Sequence, residues 1–476
     1  MRGNTNNILS RVSMMLIMVC FIMNSTAQLI CFDYPADTFS TPAFPNWVTA
    51  ADFNNDGLDD LALCHYWGKK ITIMMNDGYG NFPGVITYPI NNLDYNMGRI
   101  IAADVNNDDT LDLILFGQFY DIHIFIGTGF GNFVQAPTVW TDIYWQVDGV
   151  SGFFDADSNL DLAVIDQGHE KLRILLGDGT GDFNFVYLYP TLGSVPRRIV
   201  KGDFNEDGHD DLVICNMGTE THWYFNVVLY EGTGQGSFIS RGILEDGYVP
   251  ESIVIGDFNG DRHEDIIFNS YDRKLVKLRG NGDGTFQATE TQDITTDYYS
   301  IYLYRVDINM DSFPDLAMGN DYFNMYVNDG NGNFEDTLFL NNGSNNFRIT
   351  QMAAGNFNAD TKPDLVSAHF REVEDDYGAI TVYLNCLPVG IGENSVTEEI
   401  FNLFPNPTQG QLEIFINPSV RHFEITRIFN SAGEEIDAGH LLISGHRLDL
   451  SPLNRGLYII QFRAGDKTFA KKVLVY

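Results

Sequence analysis

Apolar stretches of strand length alternate along most of the chain with turns rich in Asp, Asn and Gly, and the pattern recurs about every 50 residues. Each unit opens on a short apolar run such as IIAAD or IVIGD, crosses an oxygen-rich turn, and continues into a second run such as DLVI. A third run follows, as in ITIMM from Ile71 or RILLG from Arg173, and then a glycine hairpin ending in Phe. The hairpins are NDGYGNF, GTGFGNF, GDGTGDF, GTGQGSF, GNGDGTF and NDGNGNF, starting at Asn76, Gly127, Gly177, Gly232, Gly280 and Asn328. The Phe opens a fourth strand. Four antiparallel strands in each of seven units predict an all-β chain folded as a seven-bladed β-propeller over residues 28–386.

The seventh unit ends after its third strand, Ala379 to Asn385, with no hairpin and no fourth strand. The segment Cys31 to Phe39, ahead of the first unit, has the character of the missing strand and is expected to close the ring as the outer edge of the last blade. Closure brings Cys31 beside Cys386, so a disulfide between them is predicted. Cys64 and Cys215 fall at one position of units one and four, three blades apart, and are expected to be buried free thiols.

The oxygen-rich turn has the form D-x-[DN]-x-D-x-x-x-D. A tight loop of this spacing delivers side-chain oxygens from positions one, three and five, a backbone carbonyl from seven and a carboxylate from nine to one hard cation, as calcium requires. The expected ligands are Asp52, Asn54, Asp56, Leu58 and Asp60 in the first unit, and Asp104, Asn106, Asp108, Thr110 and Asp112 in the second. Unit three offers Asp155, Asp157, Asn159 and Asp161, because Phe153 supplies no oxygen at position one. Units four to six offer Asp203, Asn205, Asp207, His209 and Asp211; Asp257, Asn259, Asp261, His263 and Asp265; and Asp307, Asn309, Asp311, Phe313 and Asp315. Unit seven offers Asn356, Asn358, Asp360, Lys362 and Asp364, opening on a neutral oxygen. Position seven varies freely, as a carbonyl donor permits, while positions five and nine are Asp throughout, more regular than turn preference alone would make them. Up to seven calcium ions are therefore expected. Only Gly57 and Gly208 ease a left-handed turn at position six, so affinities should differ among blades. The loop lacks the twelfth-position Glu and flanking helices of an EF-hand, which points to structural metal rather than a calcium switch.

These repeats, GDFNEDGHDDLVI with GNGDGTF for example, resemble the FG-GAP/VCBS family, whose members form integrin-α-like propellers. The resemblance covers Cys31 to Cys386 and implies calcium ligation at Asp52, Asn54, Asp56 and Asp60 and at the matching positions of the other units.

Charge and the termini narrow the function. The formal charge of −36, from 28 Lys+Arg against 64 Asp+Glu, excludes a protein that wraps nucleic acid. Arg2 and Arg11, the apolar run Met14 to Met23 and the small residues Ser25 and Ala27 predict a secretion signal over residues 1–27. No transmembrane segment is predicted. After a linker over 387–400, residues 401–476 read as a small β-sandwich with FPNP near Leu403, an Asn430–Gly433 turn, the stretch LNRGLYIIQF and a lysine-containing end. That tail is similar to the C-terminal sorting domain of the type IX secretion system. The similarity implies that system as a partner and a protein secreted from, or displayed on the outer membrane of, a Gram-negative bacterium.

GxSxG, HExxH, P-loop and zinc-spaced Cys/His patterns are all missing. The face opposite the oxygen-rich turns collects His65, Tyr66, Trp67, Tyr95, Trp140, Tyr144, Trp145, Trp223, Tyr248, Tyr271, Tyr298, Tyr299 and Tyr322, with Arg99 and Arg198 starting inner strands near the same opening. Trp67, Trp140, Trp145, Trp223, Arg99 and Arg198 are the candidate ligand-binding residues, of a kind suited to a sugar or peptide. The expected function is a monomeric binding or adhesion module for a glycan or protein. The alternatives are a lyase or hydrolase of extracellular polysaccharide and a purely structural surface component.

Overall fold

The computed structural model describes residues 32–385 and 401–475 apart from 33–36, 42–43, 66–68, 91–96, 118, 219–223, 295–301, 320–322, 341–346, 361, 372–377, 405–410, 417–423, 431–434, 437–441, 445–446, 454–455 and 465–466. The chain divides into two compact units, Met1–Pro388 and Val389–Tyr476. Every regular element among the described residues is a β-strand, and no helix there is long and apolar enough to cross a membrane.

The first unit is the seven-bladed propeller. The inner strands of successive blades are Pro45–Ala51, Met97–Ala103, Gln146–Gly152, Pro196–Gly202, Pro250–Gly256, Tyr302–Val306 and Phe347–Gly355. Each blade adds strands outward in chain order, and the second blade carries a short extra one, Phe133–Gln135, on its third strand. The last blade takes its outer strand from the start of the chain: Asp37–Thr41 runs antiparallel to Gly378–Tyr383, with Phe39 opposite Ile380. Farther along, Phe32 forms an antiparallel bridge with Asn385. Cys31 and Cys386 lie just outside the described residues, while Cys64 and Cys215 are buried free thiols.

The second strands, such as Asp60–His65 and Asp211–Asn216, are buried along their whole length. Sheets on both faces explain why they read as continuous apolar runs rather than alternating ones. Outer strands such as Phe183–Pro190 are largely exposed.

Phe and Gly recur because they join one blade to the next. The hairpin Phe packs edge-on against the Phe that follows the motif's first residue in the preceding blade: Phe133 on Phe53 at 5.5 Å, Phe238 on Phe154 at 5.3 Å, Phe286 on Phe204 at 5.7 Å, tilted, and Phe334 on Phe258 at 5.9 Å. The last hairpin glycine, held at positive φ, donates its N–H to the carbonyl of that same preceding-blade residue, Gly131 to Phe53 at 2.9 Å and Gly284 to Phe204 at 2.9 Å. Across the closure, Gly80 donates to Phe357 at 2.8 Å and Phe82 packs on Phe357 at 5.7 Å, so the seam between first and last blades repeats the ordinary interface.

In the second unit the strands form two four-stranded antiparallel sheets, one holding Phe401–Phe404 and Gln411–Ile416, the other Glu424–Asn430, Gly456–Ala464 and Lys467–Val475.

Candidate functional sites on the propeller

The oxygen-rich turn joins the inner and second strands of each blade, on the face that also carries the glycine hairpins. In the first blade, Asp52 Oδ1 and Asn54 Oδ1 accept from one N–H, that of Asp56, at 3.1 and 2.9 Å, and Asp52 Oδ2 accepts from Gly57 N–H at 2.8 Å. The oxygens of positions one and three thus converge. The N–H groups of Asp108, Asp207 and Asp311 donate in the same paired way to positions one and three in blades two, four and six. Blade five differs slightly, with Asp257 Oδ1 accepting from Gly260. Positions four and six are left-handed in blades one, two, four, five and six. Asp109, Arg262 and Ser312 hold φ of 63, 74 and 74° at position six without glycine's freedom, a conformation that costs an L-residue about 1–2 kcal/mol. Blade three has neither left-handed residue, and its Phe153 is exposed.

The ninth aspartate has a role that spacing did not reveal. Asp211 accepts from Phe204 N–H at 3.0 Å and Gly232 N–H at 2.8 Å, tying the turn to the end of the third strand. Asp112, Asp161, Asp265, Asp315 and Asp364 make the same pair of contacts. These carboxylates are buried, which accounts for an Asp in every blade before any cation is considered. Burial pushes the Asp60, Asp112, Asp265 and Asp364 carboxyls up to about 6 and those of Asp211 and Asp315 to about 7; the backbone donors oppose this and the other aspartates of the same turn add to it.

The turns fit a hard divalent cation in donor type and charge. Aspartates repel one another within each turn, and Asp60 Oδ2 is buried with no hydrogen-bond partner. As they stand, the oxygens of positions one to five are held on backbone N–H groups, and among the described residues no three carboxylate, histidine or cysteine side chains gather as a metal cluster. A cation would draw Asp52, Asn54 and Asp56 off those donors.

On the opposite face, Trp67 and Trp223 fall outside the described residues, as do Tyr66, Tyr95, Tyr298, Tyr299 and Tyr322, and the side chain of Trp140 is not described. Tyr144 and Trp145 are 42% and 41% exposed. Trp145 has φ of 66° and is held there by hydrogen bonds from Gln167 N–H to its carbonyl at 3.0 Å and from Gly168 N–H to that of Tyr144 at 2.8 Å. Beside them, His169 Nδ1 lies 2.8 Å from Asp166 Oδ2, and Arg173 donates to the same oxygen from Nε at 3.0 Å and Nη2 at 2.8 Å. His65 does not join this face; it is buried with Nε2 2.7 Å from Thr72 Oγ1.

Arg99 and Arg198, each near the start of an inner strand, line the central channel. The fifth residue before each motif forms a level ring around the axis: Trp47, Arg99, Asp148, Arg198, Ser252, Tyr302 and Gln351. A register irregularity ends at this position in blades one, three, four, five and seven and spans it in blade two, and such bulges re-aim side chains. Arg99 lies over the Trp47 ring at 5.0 Å and pairs with buried Asp148 at 2.6 Å. Arg198, three blades from Trp47, reaches the same ring at 5.4 Å and Tyr302 at 5.5 Å. A cavity of about 560 Å³ is walled by Trp47, Arg99, Asp148 and Arg198, by Ile101, Val150, Val254, Lys201 and Arg305, which lie farther along the inner strands toward the oxygen-rich turns, and by Glu264 from the turn of blade five.

Comparison with known proteins agrees with this architecture. Residues 52–115, 154–214, 203–268 and 257–318 match the FG-GAP-like repeat, and residues 402–476 match the secretion system C-terminal sorting domain. No curated protein matches the chain by sequence. Among solved structures, BBS1N in its complex with ARL6DN has a TM-score of 0.51 at 12% identity, covering 75% of this chain and 97% of its own. Raptor of Chaetomium thermophilum has a TM-score of 0.50 at 13% identity, covering 75% of this chain and 29% of its own. Both similarities concern the fold alone.

Proposed function

With FG-GAP-like repeats in its blades and a type IX secretion sorting domain at its C-terminus, the chain is an extracellular-type β-propeller, secreted or held at the cell surface, and we propose that it is a calcium-stiffened binding module for a glycan or protein. The observation that carries the binding role is the Tyr144–Trp145 pair. Two large rings are kept exposed, and the backbone of Trp145 is held in a left-handed conformation; strain of that kind persists where the surrounding structure enforces it, and clusters at binding sites. Aromatic rings suit the apolar faces of sugars and the side chains of a protein partner. Calcium in the turns would hold the blade edges rigid beneath such a surface.

A glycan array and a pull-down from surface extracts, run with the native chain and Trp145→Ala, test this reading. A ligand retained by the native chain and lost by the variant supports it; no ligand in either assay, or one indifferent to Trp145, contradicts it.

The polysaccharide-active reading draws on Asp166 and His169. A carboxylate that orients an exposed imidazole through Nδ1 leaves Nε2 toward solvent, the arrangement of a general base. Cleavage of any extracellular polysaccharide that disappears in His169→Ala would favour the enzyme.

A further inference from the structure

We propose that the central cavity is a second ligand site, distinct from the Tyr144–Trp145 face, and that it binds a carboxylate-bearing small molecule through Arg198. In a chain of net charge −36, the cavity wall holds four cations, Arg99, Arg198, Lys201 and Arg305, against two acids, Asp148 and Glu264. Arg99 is matched by Asp148 at 2.6 Å, and Lys201 by Asp210 at 2.8 Å. Arg305 donates to the Ile255 carbonyl at 2.8 Å, while Glu264 accepts from Asp203 N–H at 2.9 Å. Arg198 has no carboxylate within ion-pair distance among the described residues. Its contacts are the Arg197 carbonyl at 3.3 Å and the Trp47 and Tyr302 rings.

The neighbouring residues deepen the deficit of negative charge. Arg197 is largely buried with no partner for Nε, and burial together with Arg198 lowers its proton affinity. Glu251, the acid beside it, is itself buried, which pushes its carboxyl up to about 7 against the pull of Arg197. A guanidinium packed against two rings keeps the planar fork that meets a carboxylate with two parallel hydrogen bonds. Val150, Val254 and Ile101 on the same wall suit a ligand with an apolar face, and the volume falls within the range of small-molecule sites.

Calorimetric titration of the full chain with galacturonate, its neutral methyl ester, citrate and galactose tests the site. Saturable binding of galacturonate with the ester about 10–100-fold weaker is expected, the range of one charge-assisted interaction. Binding of galacturonate alone identifies an acidic sugar as the ligand class; binding of citrate as well identifies carboxylates more generally. Arg198→Gln should lose the same factor and Arg198→Lys less. The ester comparison uses the native chain, so it holds even where Arg198→Gln fails to fold. No saturable binding by either acid, equal binding of acid and ester, or undiminished binding by a folded Arg198→Gln would overturn the proposal.

Discussion

Phe82→Ala probes the closure of the ring. Phe82 is 3% exposed and packs edge-on against Phe357 of the last blade at 5.7 Å and against Phe39 of the closing strand at 5.7 Å. Both partners reach it only because the ends of the array meet; in an open array Phe82 would lie on a solvent edge. Truncating a fully buried Phe costs about 3–5 kcal/mol, the transfer of the ring plus the cavity left behind, with the two edge-on pairs inside that figure. Phe238→Ala is the internal reference, since Phe238 is 6% exposed and packs on Phe154 at 5.3 Å across an interface that needs no closure. Urea unfolding at fixed calcium, followed by circular dichroism and compared at equal m-value, should give similar losses for the two variants. A loss below about 1 kcal/mol for Phe82→Ala beside a full loss for Phe238→Ala would refute closure.

Two further outcomes follow. His369 is buried against Thr381 Oγ1 at 2.8 Å, and burial lowers its pKa to about 3. The folded chain therefore resists protonation there, so stability present above pH 6.5 falls away toward pH 3, by about 3 kcal/mol at pH 4.5; the difference in stability between native and His369→Gln should follow that slope, and a pH-independent difference would contradict it. Non-reducing peptide mapping of the secreted chain should recover Cys31 joined to Cys386, with Cys64 and Cys215 unmodified by thiol reagents until denaturation. Cys31→Ser should cost about 2–4 kcal/mol. Recovery of free Cys31 would count against the bridge.

The blades were legible in the sequence because the residues that make them recur in type: Asp at positions five and nine, Phe and Gly in the hairpins. Their reasons were less legible. The ninth Asp was read through calcium, yet its two backbone donors suffice to require it, so its regularity supports metal less than positions one, three and five do. The channel ring left no compositional trace, since its seven members, from Trp47 to Gln351, are of six residue types. The signal that could have found it was register, five residues before each motif. Strand position placed Arg99 and Arg198 near the opening of the channel, but the bulge that turns such a side chain toward the axis has no sequence signature of its own. His65 looked like a member of the aromatic face, and only its place within a wholly buried second strand moves it to the core.

The melting temperature of the secreted chain in calcium, set against the same sample after exhaustive chelation, tests most directly whether the oxygen-rich turns hold cations that stiffen the ring. Each filled site stabilises the folded chain by about 2.7 kcal/mol at a hundredfold excess over its Kd. A large fall on chelation, restored by added calcium, is the predicted result. An unchanged melting temperature would contradict structural calcium in the blades.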